Sequence, residues 1–264
     1  NRALALEARA LLSDALGVGQ EFALPAYEDP MHWMVKEADL PVNVSVEDSK
    51  LEDPEERARM VKVFEHGLGT PTGFVIPVQR WNAKAEKGWR SDHWQLRRAK
   101  LYLVPGDSPA GFRLPLGSLP HIEKDAYPYI VPADPSEERG ELADPDEMAQ
   151  GYQRSATSTV QQGALVEQDI EAAEVRTALT IEPRDGRLCV FMPPVRELED
   201  YLELLTAVEE TAAARGMPIH IEGYQPPQDP RLNVIKVAPD PGVIEVNVHP
   251  AGSWAACVET TTEL

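Results

Sequence analysis

The stretch from 175 to 249 constrains the fold most, because short strand-like runs alternate there with one long amphipathic helix. Two runs, 175–182 and 187–192, flank "PRDG", a turn sequence typical of β-hairpins. A helix at 195–215 follows and ends at Gly216. Its apolar stripe consists of Leu198, Tyr201, Leu202, Leu205, Val208 and Ala212.

Three more runs complete this stretch, at 217–223, 232–237 and 243–249, with "APDPG" as the turn between the last two. The resulting order is β-β-α-β-β-β. It predicts an α+β fold with a mostly antiparallel sheet, helices on one face of the sheet and an open polar face on the other.

The remaining chain divides into two further regions. Residues 1–120 predict helices at 2–16 and 54–66, strands within 72–81 and 99–107, and an irregular Pro/Gly-rich loop after them. Residues 121–174 hold 13 acidic against 3 basic side chains, which favours an acidic, Pro-rich linker or insertion. The third region, 175–264, is the one that carries the candidate site.

Charge and composition exclude several functions. The net charge of −19 argues against a nucleic-acid partner, which requires a basic surface. No apolar run is long enough to predict a membrane span, so we expect a cytoplasmic protein. The two cysteines, Cys189 and Cys257, show no metal-binding spacing, and we interpret them as incidental thiols.

The last predicted strand places three polar side chains at every other position. Glu245, Asn247 and His249 share one face, because strand side chains alternate between faces. If the last three strands are neighbours, the same face also gathers His220, Glu222 and Lys236. An ordinary solvated sheet face alternates in the same way, and that interpretation stays open. The alternative is a site for a hard cation such as Mg²⁺, which binds carboxylate and amide oxygens.

A second candidate group lies at the "PRDG" turn. Glu182 and Arg184 stand close to it, and arginine is suited to bidentate contacts with carboxylate or phosphate. Surface charges at a turn explain the same residues. The sequence contains no P-loop, no GxGxxG and no GxSxG motif.

Long segments resemble one bacterial family, a domain of unknown function that is described as an amidoligase and is usually fused behind a transglutaminase-like domain. The similar segments include "LPAYEDP", "HWQLRRAKLYLVPGDSPAGFRLPLGSLP", "VRTALTIEPRDGRLCVFMPP" and "IEGYQPPQDPRLNVIKVAPDPGVIEVNVHPAGSW". They cover nearly the whole chain except about 121–174.

The resemblance implies an ATP- and Mg²⁺-dependent carboxylate–amine ligase with a glutamine synthetase-like fold. It implies metal ligands at Glu222 and Glu245, and nucleotide contacts at Asn247, Asn233 and Glu182. It also implies catalytic contacts to phosphate or acyl phosphate from Lys236, His249 and Arg184.

Two features of the family pattern are missing, a "GGGNH" type segment and a "GGEPTF" type segment. We therefore expect a fragment with an incomplete site, carried in one polypeptide with a transglutaminase-like domain. The substrate would be a small molecule or peptide with carboxylate and amine groups. The alternative hypothesis is a non-catalytic module that presents substrates or binds partners for that domain, and it predicts no nucleotide binding.

Overall fold

The computed structural model describes residues 2–40, 54–83, 86–96, 98–120, 140–144 and 175–263. The predicted linker at 121–174 therefore lies outside the described residues except for 140–144. The chain divides into two compact units. The first is Asn1–Val131 with Ala143–Pro227, and the second is Pro132–Leu142 with Gln228–Leu264.

Five α-helices occur among the described residues, and the predicted ones are confirmed with small shifts. Their bounds are α1 Arg2–Ala15, α2 Pro30–Ala38, α3 Pro54–His66, α4 Leu198–Arg215 and α5 Trp254–Glu263. The carboxylate of Asp29 caps α2 by accepting the amide N–H of Met31 at 3.0 Å. Helix α4 begins three residues later than predicted and ends at Gly216, whose φ of 58° is left-handed.

Six strands of the first unit form one sheet. They are β1 Leu24–Tyr27, β2 Gly73–Pro77, β5 Leu101–Tyr102, β6 Ala178–Arg184, β7 Arg187–Met192 and β8 Ile219–Gly223. The order is β5-β1-β2-β6-β7-β8. The three inner pairs are antiparallel, and the outer pairs β1–β5 and β7–β8 are parallel. The predicted α+β class with a mostly antiparallel sheet is therefore confirmed.

Local sequence explains how the two central connections form. Strands β6 and β7 turn at Asp185 and Gly186, with φ of 50° and 79°, which is the left-handed pair that "PRDG" predicts. Strands β7 and β8 are parallel because the chain crosses back through α4 before entering β8. A separate hairpin, β3 Gln79–Ala83 and β4 Glu86–Arg90, follows β2.

One face of the six-stranded sheet packs against α1 and α4, and we call it the helix face. Its core contains Leu12 from α1, Ile76 and Ile181 from the strands, and Leu204 from α4, all fully buried. The predicted stripe of α4 is partly wrong. Leu204 and Ala207 are buried in place of Leu202 and Leu205, which stay half-buried. Helix α1 packs beside α4 and decides which side of that helix is covered.

The opposite face carries a smaller apolar cluster near β1, β2 and β5, which includes Val75, Trp94 and Leu101. The loop after β5 was predicted to be irregular. It forms two short 3-10 helices, Ala110–Arg113 and Leu116–Ser118, and the first of them contacts β6 and β7.

The second unit contains the hairpin of β9 Lys236–Asp240 and β10 Val243–Asn247. The predicted strand at 232–237 is wrong by several residues. Strand β9 continues through "APD" and turns at Pro241 and Gly242. The sequence left open whether the last three strands are neighbours in one sheet, and the structure does not pair β8 with β9 or β10. Strand β8 is hydrogen-bonded to β7, and β9 and β10 form a two-stranded sheet.

The Ser253 hydroxyl caps the helix that follows this hairpin by accepting the Ala256 amide N–H at 3.2 Å. No described residue of the second unit is fully buried. Among the helices of the described ranges, none has the length and apolar character needed to cross a membrane.

Candidate functional site

Three charged side chains meet on the sheet face opposite α1 and α4, and we call Glu182, Arg184 and Glu222 the charged cluster. Glu182 and Arg184 lie two positions apart on β6 and therefore share a face. Glu222 lies on β8, in register with Phe191 of β7. The cluster thus brings together residues from two of the segments singled out in the sequence.

The guanidinium of Arg184 lies between the two carboxylates. Its Nη1 donates to Glu182 Oε2 at 3.0 Å and to Glu222 Oε1 at 3.2 Å. Its Nη2 forms an ion pair with Glu222 Oε2. Arg184 thus engages Glu222 in a bidentate pair, the geometry in which arginine binds carboxylates most strongly.

Glu182 is the most buried member, with 6% of its surface exposed. Burial raises the pKa of the Glu182 carboxyl above its ordinary value. The Ala110 amide N–H and the Arg184 charge oppose that shift, and the Glu222 charge adds to it. The pKa of Arg184 is raised, first by its bond to Glu222, so this side chain stays a cation.

The 3-10 helix Ala110–Arg113 is joined to the sheet face of the charged cluster at Glu182. The Oε2 oxygen of Glu182 accepts the Ala110 amide N–H at 3.1 Å. The next residue, Gly111, lies so close to the Phe191 ring that an added Cβ would clash with it. Phe112 packs edge-to-face on Phe191 at 4.8 Å, and Tyr224 lies 6.0 Å from both rings. The Phe112 and Tyr224 rings remain 58% and 47% exposed beside the charged cluster.

A buried ion pair between Glu28 and Arg113 holds the other end of this 3-10 helix. Arg113 Nε also donates to the Val104 carbonyl at 2.7 Å, and the Thr72 hydroxyl donates to Glu28 at 3.4 Å. The positive charge of Arg113 also acts on Glu182. Sequence reasoning did not assign Glu28 or Arg113, because a single buried ion pair leaves no periodic signal.

The thiol of Cys189 and the imidazole of His220 lie near the charged cluster but are not members of it. Cys189 is in register with Glu182 on one side and with His220 on the other. Its thiol is buried, and burial raises its pKa. His220 is exposed. The interpretation of Cys189 as an incidental buried thiol agrees with this environment.

The hairpin of the second unit brings another part of the predicted set together. Asn247 Nδ2 donates to Glu245 Oε1 at 2.8 Å, so these two side chains share a face as predicted. Lys236 lies directly across from Asn247 in the β9–β10 register. The apolar side chains of the hairpin are also exposed, among them Ile244 and Val237.

His249 and Asn233 lie outside the strands to which the sequence assigned them. His249 follows the end of β10, and its Nε2 accepts the Val234 amide N–H at 3.0 Å. Asn233 precedes β9 and is exposed. The imidazole therefore closes the base of the hairpin, which alternation along a strand does not predict.

The charged cluster offers two carboxylates as possible metal ligands. Across the described ranges, no group of three or more His, Cys, Asp or Glu side chains is placed to hold a metal ion. Glu182 and Glu222 are the two carboxylates of the cluster, with Arg184 between them. Mg²⁺ is commonly bound by one or two carboxylates, with the remaining ligands from water and substrate phosphate.

The fold and the charged cluster define a class of protein, an α+β domain whose sheet carries helices on one face and buried carboxylates with a bridging arginine on the other. The model of one family, described as "Putative amidoligase enzyme (DUF2126)", matches residues 2–264. The chain belongs to this family. No curated protein and no solved structure matches the chain significantly.

Proposed function

We propose that this protein is an amide-forming ligase that joins a carboxylate to an amine and consumes ATP with Mg²⁺. The family match over residues 2–264 supports the amidoligase activity at a coarse level. The observation that carries the proposal is the charged cluster, because Glu182, Arg184 and Glu222 combine the groups that phosphate and cation chemistry requires.

The chemistry of such a ligase explains why these groups are needed. A substrate carboxylate oxygen attacks the γ-phosphorus of ATP, ADP leaves, and an acyl phosphate forms. The amine then attacks the carbonyl carbon, phosphate leaves, and the amine loses a proton. Negative charge develops on phosphate oxygens in the first step, and fixed cations stabilise it.

Glu222 and Glu182 would hold the Mg²⁺ ion, which neutralises phosphate charge when it is bound. The donor set fits, because two carboxylates suffice when phosphate supplies further ligands. Arg184 would bind a phosphate oxygen pair or the acyl phosphate, for which its planar guanidinium is suited. The exposed rings of Phe112 and Tyr224 would border the bound substrate.

The hairpin residues remain part of the proposal. Glu245 would be a metal ligand, and Asn247 and Asn233 would be nucleotide contacts. Lys236 and His249 would contact phosphate or acyl phosphate. The hydrogen bond between Asn247 and Glu245 and the position of Lys236 opposite Asn247 support a shared polar surface on the hairpin.

Nucleotide binding and turnover test the proposal in the intact protein. Calorimetry with a non-hydrolysable ATP analogue and Mg²⁺ should detect binding, and ADP release should depend on added carboxylate and amine substrates. Glu222→Gln should reduce turnover at least tenfold, whereas Glu259→Gln on the exposed surface of α5 should leave it unchanged.

An intact protein that binds no nucleotide contradicts the ligase proposal. That result would favour the non-catalytic module that presents substrates to a transglutaminase-like domain. Glu245→Ala tests the hairpin by itself. If the Glu245 carboxylate binds a metal ion, this variant should also lose turnover.

A further inference from the structure

We propose that Arg184 is a displaceable counter-cation, which keeps free divalent metal ions away from Glu182 and Glu222 until a phosphate-bearing ligand draws its guanidinium off. The inference rests on the proposed function, since it concerns the same cluster. It goes further by fixing the order of binding: the metal ion enters with the phosphate ligand.

The guanidinium occupies the oxygens that a metal ion would need. Both oxygens of Glu222 and the Oε2 oxygen of Glu182 accept hydrogen bonds from Arg184. A divalent ion that entered beside it would add a second positive centre within a few ångströms. Like charges at that separation repel strongly at a partly buried site.

The cluster nevertheless has acceptor capacity left. Both hydrogen bonds to Glu182, from Ala110 and Arg184, end on Oε2. Its Oε1 oxygen accepts no hydrogen bond from any residue in the described ranges, although only 6% of the residue is exposed. Solvent reaches this oxygen, so a further donor or cation can approach it.

The charge balance agrees with a temporary counter-cation. Two carboxylates and one guanidinium leave an excess negative charge at a partly buried site. When a phosphate ligand supplies negative charge, a divalent ion and Arg184 can both be accommodated. Arg184 then has an anion to bind in exchange for Glu222.

Arg184 also has the freedom to move that the neighbouring Arg113 lacks. The Arg184 side chain is 24% exposed and stands at the end of β6, next to the turn. The Arg113 side chain is 7% exposed and is held by both Glu28 and the Val104 carbonyl. Arg113 is therefore a fixed structural cation, and Arg184 is the one that a ligand can draw away.

Electron paramagnetic resonance of Mn²⁺ tests the inference without measuring turnover. The intact protein should bind Mn²⁺ alone weakly and should bind it cooperatively with a non-hydrolysable ATP analogue. Arg184→Gln should bind Mn²⁺ alone at least tenfold more tightly than the wild type, because the competing cation is gone. Arg184→Gln combined with Glu222→Gln should lose that gain.

Two controls separate charge from structure. Arg184→Lys keeps a cation at the cluster and should resemble the wild type. Arg98→Gln removes a guanidinium that pairs with a single carboxylate, Asp29, and should leave Mn²⁺ binding unchanged. If Arg184→Gln does not fold, the wild type still tests the inference, since Mn²⁺ and the analogue must then bind cooperatively.

The inference is overturned if Arg184→Gln binds Mn²⁺ no more tightly than the wild type, or if Mn²⁺ and the analogue bind the wild type independently. The first result, with nucleotide binding intact, leaves the ligase proposal standing. If Arg184→Gln gains Mn²⁺ affinity but the protein never binds the analogue, the exclusion of metal ions by Arg184 is supported. That result overturns the ligase proposal and the binding order.

Discussion

The two faces of the six-stranded sheet bury different kinds of side chain. The helix face buries Ile76, Ile181 and Leu204 under α1 and α4. The opposite face buries Glu28 and Glu182, each beside an arginine and under one short 3-10 helix. Apolar burial stabilises with little demand on geometry, whereas a buried carboxylate is tolerated only with its partners in place.

This contrast explains where sequence patterns are informative. Apolar side chains on a strand repeat every second residue, and the pattern survives substitution by similar residues. An ion pair such as Glu28 with Arg113 joins two positions far apart in the chain and leaves no repeat. Four predictions test this contrast between the two faces, in order of decreasing effect.

Removing the fixed cation of the charged face should have the largest effect. Arg113→Met leaves the Glu28 carboxylate buried without its partner and should reduce the free energy of unfolding by about 3–5 kcal/mol. Urea denaturation measures the change. Glu28→Gln in the same chain should recover part of it, and Arg98→Met, at an exposed pair, should stay within about 1 kcal/mol of the wild type. A small effect of Arg113→Met would mean that this pair is not structural.

On the helix face, Leu204→Ala should reduce the free energy of unfolding by about 2–5 kcal/mol, because the side chain is fully buried between α4 and the sheet. Leu202→Ala is the matched control, since Leu202 stays half-buried. Its loss in urea denaturation should be clearly smaller. Equal losses of stability in the two variants would favour the apolar stripe predicted from the sequence and would contradict the observed orientation of α4.

Glu182 should make stability depend on pH in the acid range. Its folded-state pKa is raised above the ordinary value of 4.5, so folding favours the protonated form. The stability that this group contributes is present below the unfolded-state pKa and is lost as pH rises through the folded-state pKa.

Glu182→Gln lacks this titration. Denaturation of both proteins from pH 4 to 8 should therefore show the variant gaining stability relative to the wild type as pH rises. Other titrating groups cancel in the difference. A difference that moves the other way would mean that the Ala110 and Arg184 contacts outweigh burial.

The smallest effect is expected at the exposed ion pair between Arg215 of α4 and Glu7 of α1, whose charged atoms are 3.5 Å apart. Arg215→Gln should change the free energy of unfolding by about 0–1 kcal/mol, since water screens both groups. Added salt should reduce the difference between variant and wild type. A loss near that of Arg113→Met would remove the distinction between surface and buried pairs.

Much of the fold was predictable from the sequence. The bounds of α1 and α3, the "PRDG" hairpin and the α+β class all follow from periodicity, caps and turn residues. The covered side of α4 was not, because α1 lies far from it in sequence and packs beside it in the fold. The end of β9 was missed because "APD" was interpreted as part of the turn, while the chain continues as a strand to Asp240 and turns at Pro241 and Gly242.

For the candidate site, alternation brought out Glu245 and Asn247, which do share a face. It did not predict that His249 would hold the Val234 amide, because His249 lies beyond the strand. The pairing of Glu222 with Arg184 required the parallel placement of β8 beside β7, and that depends on the α4 crossover. The roles of all these residues in catalysis and binding stay predictions.

Short-range patterns and long motifs were enough to assign most local elements and the membership in an amidoligase family. Which charged side chains meet depends on the tertiary structure. Glu182, Arg184 and Glu222 lie on two strands separated by β7, and Arg184 bridges them above it. Long-range electrostatic contacts depend on strand order and register, and neither can be derived from the spacing of residues along the chain.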